Sequence, residues 1–367
     1  MQQPILILGG YGNFGKRIAT ALTNGRTAAP LPVIITGRDA DKAAALVREL
    51  PPGMASFACF DAFTDLDQKL AQLKPAVVIN TCGPFQDSDY SIPQCCIKHA
   101  IPYIDLADGR DFVTGITSLD AEARDNKVPV ISGASTVPGL SSAVIEHFSD
   151  AFSVIENCTY GISPGQKAER GLATTRGILG YAGKILKPAV CQKIPRYGWQ
   201  NIFRQDFPVL GKRWMANCDI PDLDLFPQKY AIRNLTFSAG LELAPLHLGL
   251  WILSWLVRWG LPLKLQKHAE LLLRASNYFD RLGTADGGMF FRLSGQDKGG
   301  KAHIRSWYII ALDSDGPQIP TIPAIILARK LASQKCDLIG AMPCVGLVSL
   351  AEYLKELQPY KIQTYEQ

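Results

Sequence analysis

One turn constrains this chain more than anything else in it. The apolar run Ile5-Leu6-Ile7-Leu8 passes directly into Gly9-Gly10-Tyr11-Gly12-Asn13-Phe14-Gly15, and Lys16-Arg17-Ile18-Ala19 continues with helical periodicity. Glycines at 10, 12 and 15 between a strand and a helix are what a dinucleotide site needs. The first permits the tight turn, the second lets backbone approach a pyrophosphate, and the third lets helix and strand pack closely. The helix N-terminus then presents N–H groups and a positive dipole end to the phosphates, so Asn13 and Phe14 join the three glycines as candidate cofactor contacts. A turn of the same shape that holds no cofactor is the alternative.

The next 120 residues repeat the alternation of strand and helix. Val33-Ile34-Ile35-Thr36 reads as a second strand, residues 55–60 as a third, Ala76-Val77-Val78-Ile79-Asn80 as a fourth, residues 103–106 as a fifth and 128–131 as a sixth. Helical patterns lie between them. Such alternation implies a parallel, doubly wound Rossmann sheet with right-handed crossovers, and six strands are expected to complete it. Ligands of these sheets sit beyond the carboxyl ends of the strands. This directs attention to Thr36 and Arg38 after the second strand, Asp61 after the third, and Thr81, Cys82 and Gly83 after the fourth. An NAD site usually places an acidic residue after the second strand, to accept from the ribose 2′-hydroxyl. Here the order is Thr36-Gly37-Arg38-Asp39. Arg38 offers a fork of donors suited to a 2′-phosphate, which points to NADP(H), and Asp39 reads as a helix cap. Asp61 is either an adenine-edge contact or a plain loop carboxylate. Cys82 reads as a packing residue, with no histidine nearby in sequence to activate it.

Beyond residue 150 the texture changes. Strand-like segments at 159–162, 235–238, 289–293 and 304–310, the last two facing each other across a Gly-rich turn, combine with helical patterns over 243–282 into a second, α+β domain with a mixed sheet. Pro- and Gly-rich connectors are expected to dominate 160–230. Helical patterns at 322–331 and 347–357 fit either domain by periodicity. The division expected is 1–145, 146–315 and a C-terminal segment 316–367.

Two domains are also what 367 residues suggest. A net charge of +5, without any basic run interleaved with aromatics, gives no reason to expect nucleic acid. The nine cysteines contain no CxxC and no Cys/His grouping at zinc spacing, so no metal site is expected. His99, His147 and His268 read as helix-face residues without partners. The first strand begins within a few residues of Met1, and a cytoplasmic location is the expectation. One segment stands apart. Residues 248–263 are apolar almost all round, yet Arg258 and Pro262 cut the run short of the roughly 20 residues a span needs. Trp251, Trp255 and Trp259 recur at four-residue spacing. The segment is a buried or subunit-interface helix, a peripheral membrane contact, or the wall of a lipid-sized pocket.

Several words of the sequence together resemble the saccharopine dehydrogenase-like, NADP-binding-domain family: residues 9–15, Asn80-Thr-Cys-Gly-Pro-Phe85, Tyr103-Ile-Asp-Leu106 and Val137-Pro-Gly-Leu-Ser141, with weaker support from Ala239-Gly-Leu-Glu-Leu243 and the tail from Asp315 to Arg329. The resemblance implies a Rossmann domain, a mixed-sheet domain that often makes a homodimer, and C-terminal helices returning to the first domain. It also implies hydride transfer between NADP(H) and a carbon–nitrogen bond of a small-molecule substrate such as an amino-acid adduct. Some relatives reduce carbon–carbon double bonds in lipid intermediates. A nucleotide-binding scaffold without turnover is the alternative from outside enzymology. No strong catalytic motif is visible. Asp108, just past the fifth strand, is the candidate proton donor, and Arg170 is the candidate for holding a substrate carboxylate; for each, an ordinary solvated side chain is the competing reading.

Overall fold

The computed structural model describes residues 3–86, 88–169, 171–188, 195–333 and 336–367. The chain divides into two compact units, 1–144 with 318–359, and 145–317 with 360–367.

In the first unit the expected alternation is present: β1 (Ile5–Leu8), α1 (Asn13–Thr23), β2 (Val33–Gly37), α2 (Ala40–Glu49), β3 (Ala55–Cys59), α3 (Leu66–Leu73), β4 (Val77–Asn80), α4 (Ser91–Lys98), β5 (Tyr103–Asp105), α5 (Arg110–Gly115), α6 (Asp120–Asp125), β6 (Pro129–Ser132) and α7 (Ser141–Ser149), which leads out of the unit. Every residue of β1, β4 and β6 is buried, as expected of strands covered on both faces by helices. All the pairings are parallel, with Ile5 opposite both Val33 and Val77.

The expectation of six strands needs correcting. Among the described residues the sheet has seven, in the order β13-β6-β5-β4-β1-β2-β3, where β13 is Gly340–Pro343. Gly340-Ala-Met-Pro343 has no β-branched residue and no alternation, so nothing local marks it as a strand. It forms because β6 offers an open edge. The helices flanking β13 are α12 (Ile322–Ala332) and α13 (Leu350–Leu357), the latter started by a reciprocal Ser349/Glu352 cap. Arg329 reaches from α12 to Glu356, Thr27 and the Ala21 carbonyl, which joins both helices to α1.

The second unit contains β7 (Val154–Ser163), α8 (Leu172–Tyr181), β8 (Phe203–Phe207), β9 (Gly211–Asn217), α9 (Asp222–Tyr230), β10 (Asn234–Ala239), α10 (Ala244–Arg258), α11 (Ala269–Asn277), β11 (Gly287–Gln296), β12 (Ala302–Ala311) and β14 (Ile362–Glu366). Its sheet is mixed, in the order β14-β12-β11-β7-β10-β9-β8, with β10 parallel to β7 and the other pairs antiparallel. The stretch 160–230, expected to be mainly connectors, instead supplies two helices and a hairpin. The Tyr160 and Phe291 rings stack at 4.7 Å in the core of the sheet, and the Tyr160 hydroxyl donates to buried Asp222 at 2.5 Å. At the end of the sheet Arg213, almost fully buried, lies 3.5 Å from Glu242 and donates to the Ser163 and Asp286 carbonyls. Glu242 also accepts from the Gln166 amide (2.6 Å), the Thr284 amide and the Thr284 hydroxyl (2.8 Å). One charged pair thus gathers four segments.

Candidate active site

The turn after β1 is built from glycine because nothing larger fits. Gly9 has φ +71°, a region other residues avoid. A Cβ on Gly15 would stand 2.4 Å from the Gly9 carbonyl oxygen and 2.7 Å from the Gly10 Cα, and one on Gly12 would stand 3.0 Å from that same oxygen. Helix α1 therefore starts directly against the β1 turn. No acidic residue lies in its first turn, and its N-cap, Gly12, has no side chain to fold back over the amides. The positive helix end is left facing the loop.

The neighbouring strand ends complete this surface. The Gly10 amide donates to the Thr36 carbonyl at 2.9 Å, which couples the turn to β2. The Thr36 side chain is buried and its hydroxyl donates to the Ile7 carbonyl at 3.0 Å; it braces β1 against β2 instead of facing a ligand. Thr81 does the same for β4, donating to the Leu8 carbonyl at 2.8 Å. Arg38, the first residue past β2, is exposed and has no hydrogen-bond or ion-pair partner among the described residues. Asp39 caps α2 by accepting from the Lys42 amide, as the sequence suggested. Asp61 accepts from the Phe63 amide at 3.0 Å in the loop after β3. Burial pushes the Cys82 thiol up to about 11, with the Asp61 carboxylate adding to the rise and Arg38 opposing it, so Cys82 is a neutral packing residue. Gly83 follows at the start of the loop to Phe85.

Reading the chain alone missed Tyr11. Its ring covers Gly37, where an added Cβ would fall 2.3 Å from the ring, and its hydroxyl accepts from the Asp39 amide at 3.1 Å. It closes one side of the β2 end beside Arg38. The signal was present in the aromatic at the first variable position of the glycine turn.

The end of β5 and the loop after it carry two carboxylates of different character. Asp105 is fully buried. Its Oδ1 accepts from the Ala107 amide (2.9 Å), the Gly133 amide (2.8 Å) and the Ser132 hydroxyl (3.0 Å), whereas its Oδ2 is buried without a hydrogen-bond partner among the described residues. Burial pushes its carboxyl up to about 6 against those three bonds and the nearby Tyr103 hydroxyl, which pull it down. Asp108 is solvent-accessible, accepts from Gln86 Nε2 at 3.1 Å, and is raised from the ordinary carboxylate range by desolvation. Gln86 belongs to the segment leaving β4, so the pair spans the ends of β4 and β5. Arg170 lies outside the described residues.

The expectation that His99 lacks a partner is corrected by α3 and α4. His99 Nε2 lies 2.9 Å from Asp67 Oδ1, and Asp67, Cys95 and His99 bring one potential ligand atom each within 4.8 Å of one another. Lys98 donates to the same Asp67 oxygen at 2.8 Å. That ammonium holds the oxygen a cation would take, and the group is an ion-pair cluster.

A parallel sheet, a glycine turn opening a helix, and an unpaired arginine after β2 define a Rossmann-type nucleotide-binding unit. Residues 5–131 match the family model described as "Saccharopine dehydrogenase NADP binding domain". Apo saccharopine dehydrogenase (L-Glu forming) from Saccharomyces cerevisiae is similar in structure over 100% of both chains, with a TM-score of 0.65 at 12% identity, a likeness of fold. A meso-dapdh mutant from Clostridium tetani (14% identity, 98% of this chain and 99% of that one, TM-score 0.49) and an amine dehydrogenase from Mycobacterium smegmatis (10%, 94% and 95%, 0.48) lie further off. No curated protein sequence matches. Over residues 5–131 the chain thus matches an NADP-binding domain, which makes NADP(H) the cofactor, and over its whole length it shares the fold of the yeast enzyme.

Proposed function

We propose that the protein reduces or oxidises a carbon–nitrogen bond in a small substrate, such as an imine or amine of an amino-acid adduct, with NADP(H) as partner. The observation that carries the reading is the glycine cradle, closed to any Cβ at Gly15, with the unpaired Arg38 after the adjacent strand. When bound, the cofactor supplies the hydride. Gly10, Gly12, Asn13, Phe14 and Gly15 hold its pyrophosphate by backbone and helix end, Arg38 pairs with the 2′-phosphate, and Asp61 and Thr81–Gly83 border its two ends. Asp108 is the group we assign to move the proton, since it is accessible at the strand ends, desolvation raises its carboxyl from the ordinary range, and Gln86 fixes one of its oxygens. Arg170 is the second residue assigned, for a substrate carboxylate.

The test is a paired titration of NADPH and NADH, followed by NADPH oxidation with a panel of cyclic and open-chain imines. Turnover that falls at least about 100-fold in Asp108→Asn, with NADPH affinity kept, supports the assignment. Binding without turnover of any acceptor would leave a scaffold. The uncovered apolar face of α10 favours a second reading, reduction of a lipid-like enoyl substrate, and an enoyl panel run in parallel separates the two.

A further inference from the structure

Helix α10 has one face built into the second unit and another that nothing covers among the described residues. Inward, His247 and Ser254 are buried, and Leu250, Trp251, Leu253 and Val257 pack on a cluster of Trp199, Leu265 and Ala269 with their neighbours. Outward, Ile252 is 54% exposed and Trp259 is 70% exposed, and a Cβ on Gly249 would meet nothing within 4 Å. The three tryptophans therefore do not share one environment: Trp251 is half-buried, Trp255 packs between its two neighbours, and Trp259 touches Trp255 but is mostly exposed. Further along the sequence Leu261, Leu263, Leu271 (66% exposed), Tyr278 (87%) and Leu282 (73%) are exposed as well. A monomer in water gains nothing from exposing so many large apolar side chains in one stretch.

The charges of the same stretch select what covers it. Residues 244–282 carry Arg258, Lys264, Lys267, Arg274 and Arg281 against Glu270 and Asp280. Glu270 is held by Arg274. Lys264, Lys267 and Arg281 have no ion-pair partner among the described residues, whereas Arg258 donates to Gln200 at 2.6 Å and stacks over the Tyr197 and Trp255 rings at 3.9 and 4.7 Å. Aromatic and aliphatic side chains beside unpaired cations match the boundary between acyl chains and anionic headgroups. Two copies meeting on this face would instead bring like charges together. Among the described residues no helix is long and apolar enough to cross a membrane, so the contact lies in the plane of the surface.

We propose that the outward face of α10 with the Leu261–Leu263 tip is a docking surface for an anionic lipid bilayer. The inference stands on this surface alone and is independent of which acceptor the active site takes. Flotation of the full chain with phosphatidylcholine vesicles, with and without phosphatidylserine, tests it. Binding is expected at least about tenfold stronger with phosphatidylserine, weakened by salt, and lost in Trp259→Glu. The Lys264→Glu/Lys267→Glu variant is expected to bind at least about 25-fold more weakly, at about fivefold per charge lost. Both variants change exposed side chains, and unchanged melting and NADPH titration establish that each is folded. Absence of flotation with either vesicle, equal flotation with both, or flotation indifferent to both variants overturns the proposal. So does a dimer in light scattering that Trp259→Glu converts to a monomer, which would give the face to a second copy.

Discussion

Replacing Asp105 by asparagine is expected to make the protein more stable at neutral pH, although it alters a fully buried, hydrogen-bonded residue. The carboxyl is pushed up to about 6 in the fold from an ordinary value of 3.8. Between those values the folded protein holds a proton that the unfolded chain has released. The contribution of Asp105 to stability is thus fully present below about pH 4 and is lost as pH rises through about 6. The gap corresponds to about 3 kcal/mol above pH 7. Asparagine keeps the acceptor, since the Ala107, Gly133 and Ser132 bonds all end on Oδ1, and it places an amide where Oδ2 has no partner. Leaving that amide unpaired costs about 1–3 kcal/mol, so a net gain of up to about 2 kcal/mol at pH 8 is expected, or a rise in Tm of up to about 8 °C. The assay is calorimetry or far-ultraviolet circular dichroism on Asp105→Asn and wild type from pH 4 to 8. All six tryptophans lie in the second unit, so their fluorescence does not report this site. A variant less stable than wild type at pH 8, or one whose difference from wild type does not change between pH 4 and 7, would refute the reasoning.

Arg38→Ala is expected to weaken NADPH binding about 10–100-fold and to leave NADH within about threefold, because a charge-assisted pair to one phosphate contributes roughly 1.5–3 kcal/mol; fluorescence titration of both nucleotides checks it. Gly15→Ala places a methyl 2.4 Å from backbone that cannot step aside, and is expected to cost about 1–3 kcal/mol and at least tenfold in NADPH affinity, read by melting and titration. Glu242→Ala leaves Arg213 buried and unpaired and removes the acceptor of the Gln166 and Thr284 amides. A loss of about 3–5 kcal/mol is expected, visible in urea denaturation followed by tryptophan fluorescence.

What could be read in advance follows the range of the forces involved. Strands β1 and β4 are continuous apolar runs because both faces are covered, so each announced itself within four residues, and at Gly12 and Gly15 the turn is dictated by contacts within residues 9–15. Strand β13 depends on an edge supplied by a distant strand, and its own residues carry no strand preference. The β8–β9 hairpin was hidden because β9 contains Lys212 and Arg213, and the burial of Arg213 is possible only with Glu242 beside it. At the site, Arg38 was legible from its place in the order of residues. The contrast between Asp105 and Asp108, three positions apart, was not, because it depends on what surrounds each carboxyl. The helical stripe of tryptophans was plain in the chain, but its turn from inward to outward depends on the cluster beneath α10.

The two sheets share a property that bears on how the protein is made. Each is finished on one side by a strand from near the C-terminal end of the chain, β13 beside β6 and β14 beside β12. Roughly 200 residues separate β6 from β13, and translation at about 5–20 residues per second takes roughly 10–40 s to cover them. Throughout that interval the nascent first unit has all the strands of its nucleotide-binding turn but carries a buried, apolar strand with one side unpaired. Such an edge is an invitation to other chains. Slow synthesis or crowded ribosomes would thus tax the yield of this protein more than its finished stability suggests.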